Sequence, residues 1–183
     1  MNITKIYQAL AISSLLVIAS SANALEQQCN EKSRRTAQND RYEVIGNGEE
    51  VKDKQTGLIW QRCVVGETWD GNSCTGVEDS KSLTWHEALK VAKAKADSTK
   101  KPYRVPNIKE LASLTSYGCS PSFNTTYFET GVEIFDFIDN AIVWSSSPNI
   151  GEKGSSYTYS QHDGIVRIFN VNETYAVRLV RSE

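Results

Sequence analysis

Tyr103-Arg-Val-Pro-Asn-Ile-Lys-Glu-Leu-Ala-Ser-Leu114 decides the fold, because it puts a strand end, a helix start and a core stripe side by side. Pro106 cannot continue a helix from its N-terminal side and pushes Val105 toward an extended conformation. Asn107 then caps a helix: its side-chain oxygen accepts from first-turn N–H groups, and Glu110 reaches back to the cap. Ile108, Leu111 and Leu114 follow on one face, a stripe too short to hold the helix in water unless it docks. Upstream, Leu83-Thr-Trp-His-Glu-Ala-Leu-Lys-Val-Ala-Lys-Ala-Lys-Ala96 repeats the pattern. Thr84 caps, Glu87 completes the box, and Trp85, Ala88, Leu89, Ala92 and Ala96 share a face. Asp97 to Lys101 reads as a polar turn between the two helices.

Strand signals flank this helical pair. On the N-terminal side, Arg41-Tyr-Glu-Val-Ile45 alternates, Gly46-Asn-Gly48 turns, Glu49 to Asp53 returns, and Leu58-Ile-Trp-Gln-Arg-Cys63 after the turn at Gly57 is the most apolar early strand. Thr75 to Lys81 reads as a polar linker. On the C-terminal side, Ser120 to Asn140 reads as a long structured loop, with Phe123, Tyr127, Phe128, Phe135 and Phe137 filling core. Beyond it, Ala141–Ser147, Tyr157–Ser160, Ile165–Val171 and Tyr175–Arg181 read as a four-stranded antiparallel meander. The class is α+β in a single domain.

The chain begins with Lys5 ahead of an apolar run from Ala9 to Ala19 and small residues ending Ala22-Asn-Ala24, the pattern of a secretory signal peptide (residues 1–24) too short to span a bilayer. No transmembrane segment is expected after cleavage. The expected domain occupies residues 41–183, preceded by a polar arm, residues 25–40. All four cysteines lie beyond the signal, and an even count in an exported chain argues for two disulfides in an oxidising compartment. Of three possible pairings, Cys63–Cys74 is favoured by the Asp70-Gly-Asn turn between them, leaving Cys29–Cys119 to pin the arm. With no C-x-x-C pair and two histidines, neither a metal nor a cofactor is expected.

Without Lys5, 19 basic residues face 22 acidic ones, so bulk charge argues against nucleic acid as partner and any anion site must be local. One local cluster stands out: Lys90, Lys93, Lys95, Lys100, Lys101 and Arg104, interrupted only by Asp97. Within it Lys93, Lys100, Lys101 and Arg104 are the candidate ligand-binding residues, although cations at a helix end also complement its dipole. No catalytic residue is expected. His86 lies in the first turn of a helix with no nucleophile or acid placed for it, His162-Asp163 is a turn, and neither G-x-S-x-G nor H-E-x-x-H occurs.

Four blocks carry a family resemblance: Lys54-Gln-Thr-Gly-Leu-Ile-Trp-Gln-Arg-Cys63 with Thr68-Trp-Asp-Gly-Asn-Ser-Cys74, then Tyr103 to Leu111, Val143-Trp-Ser-Ser-Ser-Pro148, and Tyr175-Ala-Val-Arg-Leu-Val-Arg181. Together and in this order they resemble the Lcl C-terminal domain family, named after a collagen-like adhesin. The resemblance implies a C-type-lectin-like fold of the kind shared with formylglycine-generating enzymes. It also implies extracellular adhesion or ligand binding, sulfated glycans being bound by the namesake. The calcium-site motifs Glu-Pro-Asn, Gln-Pro-Asp and Trp-Asn-Asp are absent, as is a reactive cysteine pair near the C-terminus. The expected function is a secreted or surface-associated, non-enzymatic binding module whose partner is an anionic polysaccharide or a surface-assembly protein. The alternatives are a structural subunit of an extracellular or pilus-like assembly, able to oligomerise, and a periplasmic hydrolase.

Overall fold

The structure, a computed structural model, describes residues 27–76, 82–128 and 142–183. The expected signal peptide, most of the linker and the Phe135–Phe137 part of the aromatic loop lie outside the described residues. The elements run β1 (Gln28–Cys29), β2 (Tyr42–Ile45), β3 (Glu50–Asp53), β4 (Ile59–Gln61), β5 (Glu67–Trp69), β6 (Cys74–Gly76), α1 (Trp85–Thr99), α2 (Ile108–Ala112), β7 (Cys119–Ser120), β8 (Ile142–Pro148), β9 (Ser155–Ser160), β10 (Val166–Asn170) and β11 (Val180–Arg181). All paired strands are antiparallel and the class is α+β.

Both helix starts form as their sequences dictate. Thr84 and Asn107 are extended N-caps, and in each the Glu three residues on closes the capping box. Leu111 of the short α2, which lies against β8 and β9, and Leu114 just beyond it are fully buried among Tyr42, Val51, Trp60, Phe123, Phe128 and Tyr159. Burying each leucine contributes about 2 kcal/mol. A second cluster forms where α1 lays Ala88 and Ala92 against Ile142, Trp144, Val177 and Leu179. The small alanine face lets the helix approach closely, while Trp85 and Trp144 donate their indole N–H groups to Ser145 O (2.8 Å) and Leu83 O (2.7 Å).

Three expectations are corrected. The C-terminal meander has three strands, β10-β9-β8, and the segment expected as its fourth crosses to the other sheet, where β11 pairs with β4. Every residue from Tyr175 to Val180 is buried, because this segment runs between the two clusters and has no solvent face. Arg178 fastens it: the guanidinium donates to Gln161 Oε1 (2.9 Å), Gln61 O (2.9 Å) and Arg62 O, and lies over the Phe128 ring. Burial lowers its pKa to about 10. Secondly, the disulfide loop contains a hairpin, β5–β6, so the chain is still paired through Gly76 where a linker was expected. Thirdly, α1 runs on through Asp97 to Thr99 and ends with Lys100 in the left-handed region at φ 57°.

Both expected disulfides are present, Cys29–Cys119 and Cys63–Cys74. The first joins positions 90 residues apart and, with the β1–β7 pair, ties the arm to the end of the α2 region.

Candidate functional site

The arm is threaded along the domain by side chains that reach backbone groups. Gln27 Nε2 donates to Pro121 O (2.9 Å) and Phe123 O (2.7 Å), Thr36 Oγ1 donates to Thr115 O (2.6 Å), and Asn30 N–H donates to Gly118 O (2.8 Å). Gly118 has φ +80°, and any side chain there would collide with Ser33, so only glycine lets the arm pass. Asn124, buried, donates to Ala37 O (3.1 Å) and Asn39 Oδ1 (2.7 Å). Arg41 locks the far end: Nε and Nη2 fork onto both oxygens of fully buried Asp53 at 2.7 and 2.5 Å, and Nη1 donates to Ser113 O (2.8 Å). Burial alone would raise the Asp53 pKa, but hydrogen bonds from Arg41 and Thr56 outweigh it and hold the carboxyl below its usual range.

This threading creates a cleft of about 420 Å³ lined by Arg34, Arg35, Arg41, Lys54, Asp40 and Gln38 among others. Arg41 is neutralised by Asp53. Arg34, Arg35 and Lys54 make no ion pair among the described residues, and the one further carboxylate in the lining is Asp40. Arg35 and Gln38 also line a second cleft of about 550 Å³, whose walls are amides and hydroxyls: Gln27, Asn39, Asn124, Thr125 and Thr126. A basic mouth thus continues into a neutral, hydrogen-bonding trough. Such a surface draws in an anion by charge and holds it with forked guanidinium contacts.

The residues singled out from the sequence are placed differently. Lys101 Nζ donates to Glu50 (2.8 Å), Arg104 forks onto Glu110 at 2.7 Å through both terminal nitrogens, and Lys93 pairs with Asp97 one turn on (2.7 Å). Lys95 Nζ sits 5.8 Å from the Tyr103 ring centre, and Lys90 is exposed on α1. Lys100, at the helix end, makes no ion pair among the described residues. Glu50 is the hub of this region. Burial would raise its pKa, but Arg181, Lys101 and Tyr103 all donate to it and bring it down to about 2. The charges are close in sequence, yet three of the four candidates face their own carboxylates.

Arg34 and Arg35 are not among the candidates named from the sequence, since a polar segment beside a half-cystine reads as a tether alone. Their signal was a Lys32-Ser-Arg-Arg35 run beside Cys29, the half-cystine that would fix it in place. Elsewhere, Asp163 accepts from Arg167 (2.6 Å) and from Ile165 N–H (3.0 Å), which commits its carboxylate within the turn. His86 is exposed and packs edge-on against Trp85. Cys63, Glu67 and Cys74 are the one group close enough to hold a metal among the described residues, and both sulfurs are consumed by the disulfide.

Fold and cleft together define a disulfide-braced α+β domain with a localised basic surface. The profile of the Lcl C-terminal domain matches residues 49–181, and the chain belongs to that family. No curated protein matches the sequence. Among the described residues no helix is long and apolar enough to cross a membrane.

Proposed function

We propose that this chain is an exported, non-enzymatic binding module with a C-type-lectin-like fold that holds anionic glycans in the cleft beneath its N-terminal arm. The observation that carries this reading is the set Arg34, Arg35 and Lys54, three cations without carboxylate partners among the described residues, on a chain with net acidic charge. Two disulfides fit an oxidising compartment and support export, as does the signal-like N-terminus. Placing the anion at the arm rather than at the end of α1 follows from the pairing of Lys93, Lys101 and Arg104 with Asp97, Glu50 and Glu110, which leaves Lys100 as a single charge there. The trough walls of Gln27, Asn39, Asn124 and the threonines supply donors and acceptors for sugar hydroxyls beside the charged groups.

Dextran sulfate and uncharged dextran of equal length are the probes. Dextran sulfate should bind and weaken steeply as salt rises toward 0.15 M, where exposed charges are screened within about 8 Å. Equal binding of the two polymers, or binding of neither, would contradict the proposal.

A further inference from the structure

A third cavity, of about 230 Å³, is lined by residues of β5 and α1, away from the residues of the basic cleft. Its apolar lining is Val64, Val65, Leu179, Val91 of α1 and Trp69 of β5. Trp69 is held rigid. It pairs with Cys74, half of the Cys63–Cys74 disulfide, and the Arg62 guanidinium stacks on its ring at 3.7 Å. Its indole edge presses on Gly48, where φ is +95° and a Cβ would sit 2.7 Å from the indole nitrogen. An aromatic wall fixed from three sides is pre-organised for a ligand and would need no further ordering on binding.

The polar lining selects the ligand. The Glu49 carboxylate and the Gln61 side-chain amide border the cavity and have no hydrogen-bond partner among the described residues. A cation is disfavoured because Arg62 already occupies a face of the Trp69 ring and Lys95 lines the same space. An anion is disfavoured by Glu49 and Glu67. The volume falls below that of drug-sized pockets and suits one ring. We propose that the Trp69 cavity is a binding site for a single neutral sugar ring, its C–H face packed on Trp69 and its hydroxyls bonded to Glu49 and Gln61.

Arg62 links this site to the trough, since its other nitrogens donate to Thr126 O (3.2 Å) and Tyr127 O (3.3 Å), and Thr126 lines the neutral end of the trough. One side chain therefore orients a wall of each site.

The test is an NMR titration of the whole folded chain with methyl pyranosides of glucose, galactose and mannose, with tetramethylammonium as the cation control. At least one pyranoside should shift the Trp69 indole N–H and the Gly66–Trp69 amides saturably. Glu49→Ala and Gln61→Ala, both at the cavity edge, should each weaken that binding about fivefold, the worth of one hydrogen bond, with unfolding unchanged. Trp69→Ala should abolish it, and Trp69→Phe guards against loss of the hairpin by keeping a ring in place. Absence of a saturable shift with every pyranoside, preference for tetramethylammonium, or indifference to both edge variants would overturn the proposal. Glu49 and Gln61 line this cavity and neither arm cleft, so dextran sulfate binding by the two edge variants tells failure of this site from failure of the arm reading.

Discussion

The end of α1 and the arm cleft carry similar numbers of basic residues, and they differ in what those residues face. At the helix end Lys93, Lys101 and Arg104 each meet a carboxylate, one of them Glu50 from the start of β3. In the cleft Arg41 has such a partner, whereas Arg34, Arg35 and Lys54 have none among the described residues. A density of positive charge along the chain is therefore a poor guide to an anion site. What counts is which charges remain after the fold has paired the others, and a pair exposed on both sides such as Lys93–Asp97 contributes little to stability either way.

The comparison breaks most severely if the arm is released. Replacing Cys29 and Cys119 with Ser should lower stability by about 4 kcal/mol, since the bridge closes a loop of 90 residues, and should remove dextran sulfate binding with it. Chemical denaturation and a binding titration on the same variant check both. Replacing Cys63 and Cys74, only 11 apart, should cost about 3 kcal/mol while leaving polyanion binding in place.

Acid separates the regions next. The Glu50 carboxyl is depressed from 4.5 to about 2 in the folded chain, so the unfolded chain takes up its proton first as pH falls. Stability from this hub is complete above about pH 5 and is lost between about 4.5 and 2. Urea unfolding midpoints measured from pH 7 to 2 should be level and then drop across that window. Glu50→Gln should flatten the drop, although Asp53 at the arm, also depressed, keeps part of it.

The smallest effect falls on the scaffold between them. Asn107→Ala removes the cap that accepts from Glu110 N–H (3.0 Å), and thermal unfolding should show a loss of about 1 kcal/mol with polyanion binding unchanged.

These expectations also explain what was legible in the sequence. Capping boxes at Thr84 with Glu87 and Asn107 with Glu110 span three residues, so their chemistry is written locally and both formed. The two disulfides followed from turn residues and elimination. The crossing of Tyr175–Arg181 to the far sheet was hidden, because its apolar and aromatic residues suit a meander strand as well as a segment buried on all sides. The neutralisation of Lys101 was hidden for the same reason of distance, its partner Glu50 lying 51 residues away. Arg34 and Arg35 acquire meaning only when Arg41 and Asp53 bring Lys54 beside them.

The most direct measurement compares two triple variants on an immobilised heparin column. Arg34, Arg35 and Lys54 replaced with Ser should elute at markedly lower salt than the parent, while Lys100, Lys101 and Arg104 replaced with Ser should elute close to it, both variants remaining folded. The reverse order, or an unchanged elution for the arm variant, would contradict the account.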